Sequence, residues 1–327
     1  MMTNLFLSAT LTCAMTVTAT FATAETWDVS LPWGPSEYHV GNAERFAEAV
    51  EEATGGELSL KIHAGGALGV RPTETVRALE DGIVPMGETA AMMNVGDLPL
   101  LGLDGIPFLF DDESDVERYY QLIRPVWEEA LETRNQKLLY SVPWPTQLIF
   151  TNRKIESLDD FEGLAVRTMD TNTSNLAESL GMLPLIMGSA DVIPALATGK
   201  LDAVMTSGTT AVAQQLWEFL DYGYVTNHMV SFNLMSVNMD YWNELAPETQ
   251  QTVLDLAATM EPEFWEVARQ EHDMRMKQLE ENGLEVSVPS PDMLAAMRDA
   301  TASLEQNLVA STGADAERVL NAYHAED

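Results

Sequence analysis

The sequence predicts an α/β protein of two domains, each a mainly parallel sheet flanked by helices. Three observations carry that prediction. Strand-like and helix-like segments alternate along nearly the whole chain, which is the pattern of βαβ units. At 327 residues the chain has about the length of two domains. Apolar residues make up 46%, enough to bury substantial cores.

Residues 25–33 (Glu-Thr-Trp-Asp-Val-Ser-Leu-Pro-Trp) alternate as a strand does and stop at Pro32. From Asn42 to Thr54 the apolar positions Phe46, Ala47, Val50 and Ala53 recur at helical spacing, and Gly55-Gly56 ends them. Glu57 to His63 is again a strand, so the chain opens β-α-β. Thr73 to Asp81 reads as a helix stopped by Gly82, followed by a strand at Ile83–Glu88. The apolar, breaker-rich run Leu98–Phe110 reads as a packed surface segment. Ser114 to Asn135 is an amphipathic helix with Ser114 as its N-cap, and Lys137–Val142 is a strand.

A second block follows: strands at Leu148–Asn152 and Leu164–Thr168, a helix at Thr173–Leu180, a strand at Leu183–Met187 and a helix at Asp191–Thr198. Leu201–Met205 is a strand and Thr210–Leu220 a helix, with Trp217 in its packed face. Met229–Asn238 is an extended apolar run suited to a crossing between lobes. Pro247–Asn282 is helical almost throughout, with a kink expected at Pro262. A strand at Glu285–Val288 and a helix at Pro291–Leu308 complete the pattern.

Residues 1–24 contain no charged side chain, and Ala22-Thr23-Ala24 precedes Glu25 as a small-residue cleavage pattern. This reads as a secretory signal peptide removed after Ala24, placing the mature chain in the periplasm. The only cysteine, Cys13, falls within it, so neither disulfides nor thiol chemistry are expected of residues 25–327. The net charge of −34 and a pI near 4.2 argue against nucleic acid and anionic membrane surfaces as partners.

The residues of bond-making chemistry are not in view. There is no nucleophile elbow: Thr206-Ser207-Gly208-Thr209-Thr210 lacks the leading glycine. Five histidines are scattered without metal-ligand spacing, no phosphate-binding loop is present, and no cofactor or metal is expected. One cation stands out instead. Only 17 Lys+Arg face 51 Asp+Glu, yet Leu164-Ala165-Val166-Arg167-Thr168 ends a buried-looking strand in an arginine. A guanidinium is permanently charged and its planar fork matches a carboxylate. Arg167 is therefore expected to receive the carboxylate of a small anionic ligand, or else to pair with one of the many acidic side chains. Trp33, Glu88, Trp144, Gln147, Arg167, Thr206 and Ser207 all fall at or near predicted strand ends, where α/β sheets bind ligands. Trp33 and Trp144 would wall the site, Gln147, Thr206 and Ser207 would hydrogen-bond neutral groups, and Glu88 would suit an ammonium or hydroxyl.

The stretches "FAEAVEEATGGELSLKI", "GGALGVRPTETVRALEDGIVPMG", "GIPFLFDD", "TNRKIESLDDFEGLAVRT", "LGMLPLIMGSADVIPALATGKLDAVMTSG" and "VNMDYWNELAPETQQTVLDLAA" run in order through residues 25–327. Together they resemble the substrate-binding subunits of tripartite ATP-independent periplasmic (TRAP) transporters, the DctP-type family. The resemblance implies a two-lobed periplasmic-binding-protein fold with a long domain-spanning helix. It implies one lobe from residues 25–144 with 233–272, and another from 145–232 with 273–327. It assigns the carboxylate clamp to Arg167 and implies delivery of an organic acid to small and large membrane subunits. Two departures are visible: Gln147 stands where some members carry a second arginine, and Thr206-Ser207 where some carry a ligand-binding asparagine. An exported enzyme acting on a small carboxylate, and a ligand sensor for a membrane kinase, are the alternatives.

Overall fold

The computed structural model describes residues 24–325, so the leader, apart from Ala24, lies outside the described residues. From the N-terminus, β1 (Glu25–Ser30), α1 (Tyr38–Ala53), β2 (Leu58–His63), α2 (Thr75–Glu80), β3 (Met86–Ala90), α3 (Glu113–Glu132) and β4 (Gln136–Pro143) build one lobe. The chain crosses to lay down β5 (Gln147–Thr151), β6 (Ala165–Thr168), α4 (Thr171–Ser179), β7 (Leu183–Ile186), α5 (Ser189–Ala197), β8 (Ala203–Ser207), α6 (Gly208–Ala213) and β9 (Tyr222–Tyr224). It returns through β10 (Phe232–Asn238) and α7 (Met239–Glu244) to the 35-residue α8 (Pro247–Glu281). Then follow β11 (Glu285–Ser287), α9 (Pro291–Thr301), α10 (Ser303–Thr312) and α11 (Ala314–His324).

The strands form two sheets, ordered β2-β1-β3-β10-β4 and β11-β9-β5-β8-β6-β7. The sheets are mixed where mainly parallel ones were expected. In the first, β10 runs antiparallel to both neighbours, and in the second β5 does. Both are the strands that follow a crossing. A strand arriving from the other lobe starts at the cleft and must run away from it. The strands flanking each arrival run toward the cleft and aim their carboxyl ends there.

Sequence periodicity missed the short elements β9, α7 and α11. The helix expected at Thr210–Leu220 breaks after α6, where Gln215 adopts a left-handed φ of 52°. Asp112, rather than Ser114, caps α3, its carboxylate accepting the N–H groups of Ser114 and Asp115. The segment Leu98–Phe110 is core rather than surface: Pro99–Gly105 forms a 3₁₀ turn, and Leu101, Leu103, Ile106 and Phe110 pack with α3. Residues 273–327, expected in the second lobe throughout, divide between the two. Met297 of α9 joins the second-lobe core, while Ala316, Val319, Leu320 and Tyr323 of α11 pack on α3 of the first.

Helix α8 continues through Pro262, burying Phe264 and Ala268 in the first lobe and Leu279 in the second. It also covers the open edge of β4, whose outward-facing peptide groups would otherwise be unpaired. Glu261 Oε1 accepts the Ser141 N–H at 2.7 Å, and Trp265 Nε1 donates to the Ser141 carbonyl at 2.9 Å. Arg124 of α3 donates to Glu261 at 2.6 Å and to the Leu139 carbonyl at 3.1 Å. Replacing Glu261 by Ala leaves the Ser141 N–H without its partner and takes one of two carboxylates from Arg124, Glu128 remaining at 2.9 Å, and is expected to cost about 1–3 kcal/mol in urea unfolding.

Candidate functional site

The second lobe contributes a cation. Arg167, third residue of β6, is 3% exposed. Its Nε donates to the Met187 carbonyl and one Nη to the Met205 carbonyl, each at 3.1 Å, so the side chain is stretched across the ends of β7 and β8. No acidic side chain forms an ion pair with it among the described residues. Burial pushes its pKa down to about 10, while the field of Asp170 works the other way. Asp170 is itself occupied: it caps α4, accepting the Thr173 N–H at 2.8 Å and hydroxyl at 2.6 Å. Its carboxyl is raised by burial, against the pull of those Thr173 bonds. The alternative expected from sequence, a strand-end arginine spent on a neighbouring carboxylate, is therefore not what the structure holds.

Gln147 and Ser207 are opposite one another where β5 pairs with β8, and Arg167 is in register with Val204 on β8's other side. Side chains alternate along a strand. Arg167 and Thr206 thus share one face of the sheet, and Gln147 and Ser207 the other. Gln147 Nε2 donates to the Pro145 carbonyl at 3.1 Å, while its buried side-chain oxygen has no partner. Ser207 is less free than expected. Its hydroxyl caps α6, accepting the Thr210 N–H at 3.2 Å.

The first lobe contributes aromatic rings on a buried acid. Trp33, just past β1, and Trp144, just past β4, meet edge to face with centroids 5.0 Å apart. Glu88 on β3 is buried and accepts the Trp33 indole N–H at 2.5 Å, His39 Nδ1 at 3.2 Å and the Asn233 amide at 3.1 Å. The Asn233 carbonyl in turn accepts the Trp144 indole N–H at 2.9 Å. Glu88 therefore orients the wall as well as presenting an acceptor. Asn233 and His39 were not among the expected site residues. The sequence signal for Asn233 was a lone amide inside the apolar run Met229–Asn238; His39 carried none, being one of five scattered histidines.

Two lobes joined by crossing strands and a spanning helix, with a buried unpaired cation in one and a tied pair of indoles in the other, define a bilobal solute-binding protein. The profile of the bacterial extracellular solute-binding proteins, family 7 (DctP), matches residues 30–312, and the chain belongs to that family. Among solved structures, DctP7 of Bordetella pertussis, an extracytoplasmic solute receptor binding pyroglutamic acid, is 28% identical. The match covers 92% of this chain and 100% of that one with a TM-score of 0.88. A marine-metagenome TRAP solute-binding protein specific for pyroglutamate is also 28% identical, covering 93% and 99% with a TM-score of 0.86. The 2,3-diketo-L-gulonate-binding periplasmic protein of Escherichia coli is 24% identical over 66% of each chain. The chain is a TRAP-type solute receptor. No helix among the described residues is long and apolar enough to cross a membrane.

The amide of Asn233 donates to Glu88 and accepts from Trp144, a combination that neither Asp nor Ala reproduces. Asn233→Asp sets two carboxylates against each other and raises the folded-state pKa of the pair above its unfolded value. Stability is then lost at pH values above that unfolded pKa and regained below it. Chemical denaturation should show a deficit of about 2 kcal/mol at pH 7 that shrinks toward pH 4, with altered tryptophan fluorescence.

Proposed function

We propose that the chain captures a small organic acid with one carboxylate and a neighbouring N–H or hydroxyl, closes over it, and delivers it unchanged to TRAP membrane subunits. The observation that carries this reading is Arg167: a buried guanidinium held only by main-chain carbonyls, with donor capacity left for a bidentate carboxylate. In a protein of net charge −34 this cation makes the second-lobe end of the cleft locally favourable to an anion. The free oxygen of Gln147 and the acceptor-only Glu88 favour a donor on the solute, and Trp33 and Trp144 favour a flat, compact body. Pyroglutamate, bound by the two 28%-identical receptors, combines these groups in one molecule and is the solute class we favour. The lobes we assign to residues 25–144 with 233–272 and to 145–232 with 273–312 would close about the crossings and α8, with α11 riding on the first. Export by the residue 1–24 leader follows from the same reading.

A thermal-shift screen of residues 25–327 tests the proposal, with C4-dicarboxylates, 2-oxo and 2-hydroxy acids, aromatic acids, sugar acids and pyroglutamate in the panel. At about 100 times its dissociation constant the solute should stabilise by about 2.7 kcal/mol, a shift of several degrees. A panel without a shift from folded, ligand-free protein would reject the organic-acid reading, and turnover of a bound acid would reject the receptor reading. Arg167→Ala should weaken binding by about 2–5 kcal/mol, roughly 30- to 5000-fold. Because burying the unpaired charge is itself unfavourable, the same variant should change ligand-free stability by no more than about 1 kcal/mol.

The pH profile separates the clamp from a merely polar site. Carboxylate binding needs protonated Arg167 and raises its pKa further in the complex. Affinity should therefore be level between pH 6 and 9 and fall as pH rises through about 10. Titration calorimetry at pH 8 and pH 10.5 measures the difference, and an affinity already falling between pH 6 and 9 would assign the dependence to a group other than Arg167.

A further inference from the structure

Away from the solute groups, the lobes also touch through Asn172, the second residue of α4. Its side-chain amide donates to the Gly102 carbonyl at 3.1 Å, from the second lobe to the 3₁₀ turn Pro99–Gly105 of the first. The receiving turn is fixed from below. Tyr119 donates its hydroxyl to the Leu103 carbonyl at 2.9 Å, and Asp104 accepts the N–H of Phe232, first residue of β10, at 2.8 Å. The Asp104 carboxyl is raised by burial and by the field of Asp170, against the pull of the Phe232 N–H.

The fit depends on two absent side chains. A Cβ on Gly105 would lie 3.1 Å from Asn172 Nδ2 and 3.6 Å from the Met229 methyl. A Cβ on Gly102 would stand 2.8 Å from Val95 and 3.5 Å from the same amide nitrogen. Neither glycine has a positive φ, so close approach rather than backbone conformation explains them. Beside the contact opens a cavity of about 340 Å³, lined by Pro99, Ile106 and Leu308 on the first-lobe side and by Asn175 of α4 across from them. Asn172 thus stands beside a gap, where a single hydrogen bond can weigh on the open–closed balance.

We infer that Asn172, with Gly102 and Gly105, forms an interlobe latch that sets solute affinity through closure rather than through contact with the solute. The inference rests on the receptor reading above. Arg167 and Asn172 belong to one strand–turn–helix unit, β6 and α4, with Asp170 capping the helix between them. A displacement of this unit against the first lobe therefore carries the Arg167 guanidinium and the Asn172 amide together. The latch holds the closed form whether or not solute is present, and a solute that favours that form gains its contribution.

The test uses residues 25–327 with spin labels at Glu51→Cys on α1 and Lys200→Cys after α5, both exposed, in a chain whose only other cysteine is removed with the leader. Asn172→Ala should leave ligand-free melting unchanged, lengthen the mean label distance, and speed pyroglutamate dissociation roughly two- to tenfold, the value of one hydrogen bond. Gly105→Ala should do the same. In the Asn172→Ala background its effect should shrink, because the 3.1 Å neighbour is gone. Parent-like distances and dissociation in Asn172→Ala, or fully additive effects in the double variant, would overturn the latch. If pyroglutamate does not bind the parent, the solute class fails separately and the ligand-free label distances alone decide the latch.

Discussion

A cation buried without a counter-charge is the constraint around which this molecule is arranged. Arg167 loses its hydration on the floor of the second lobe and receives only two main-chain carbonyls in return. An acidic residue at contact distance would have been the stabilising solution, and with 51 acidic residues in the chain one could have been supplied. The nearest, Asp170, is instead turned to cap α4. The protein thus forgoes an internal ion pair and leaves the guanidinium able to take a carboxylate from outside. The position demands a stiff frame, and β6 has one, lying between β7 and β8 with hydrophobic clusters on both faces of the sheet.

The direction of each strand serves the same end. The arriving strands β5 and β10 run away from the cleft, so their neighbours present carboxyl ends to it. Trp33, Trp144 and Arg167 follow or occupy those ends, while Gln147 is the first residue of β5 and Asn233 the second of β10. On the first lobe the polar wall is completed internally. Glu88 collects three donors, and Asn233 passes the network on to Trp144. A wall whose indoles are already tied has little side-chain freedom left to lose when a solute packs against it. Helix α8 closes the exposed edge of β4 and reaches both lobes, so lobe stability and lobe coupling share one element.

Much of this was legible along the chain. The strands and helices that carry the site follow from local periodicity and glycine stops. Arg167 stood out because it is a cation in a chain poor in cations, at the end of an apolar strand. The elements that escaped are short or lie where a local pattern is ambiguous. Leu98–Phe110 reads as surface because glycines and prolines interrupt it, yet its leucines reach the core beneath α3. Ser207 reads as a ligand hydroxyl, and only the helix that starts behind it shows the hydroxyl to be a cap.

The sequence by itself determined the α/β class, the two-lobe organisation and the family, and it singled out Arg167 as a candidate, because each is written in local pattern or in composition. The tertiary structure decided which groups are free to meet a solute. Whether Arg167 is paired, whether Glu88 is shared among Trp33, His39 and Asn233, and whether Asn172 reaches Gly102 all depend on contacts between residues 20 to 145 positions apart in the chain. Hydrogen-bond partners at such separations are set by the packing of whole sheets and lobes, and no periodicity of 2 or 3.6 residues encodes them.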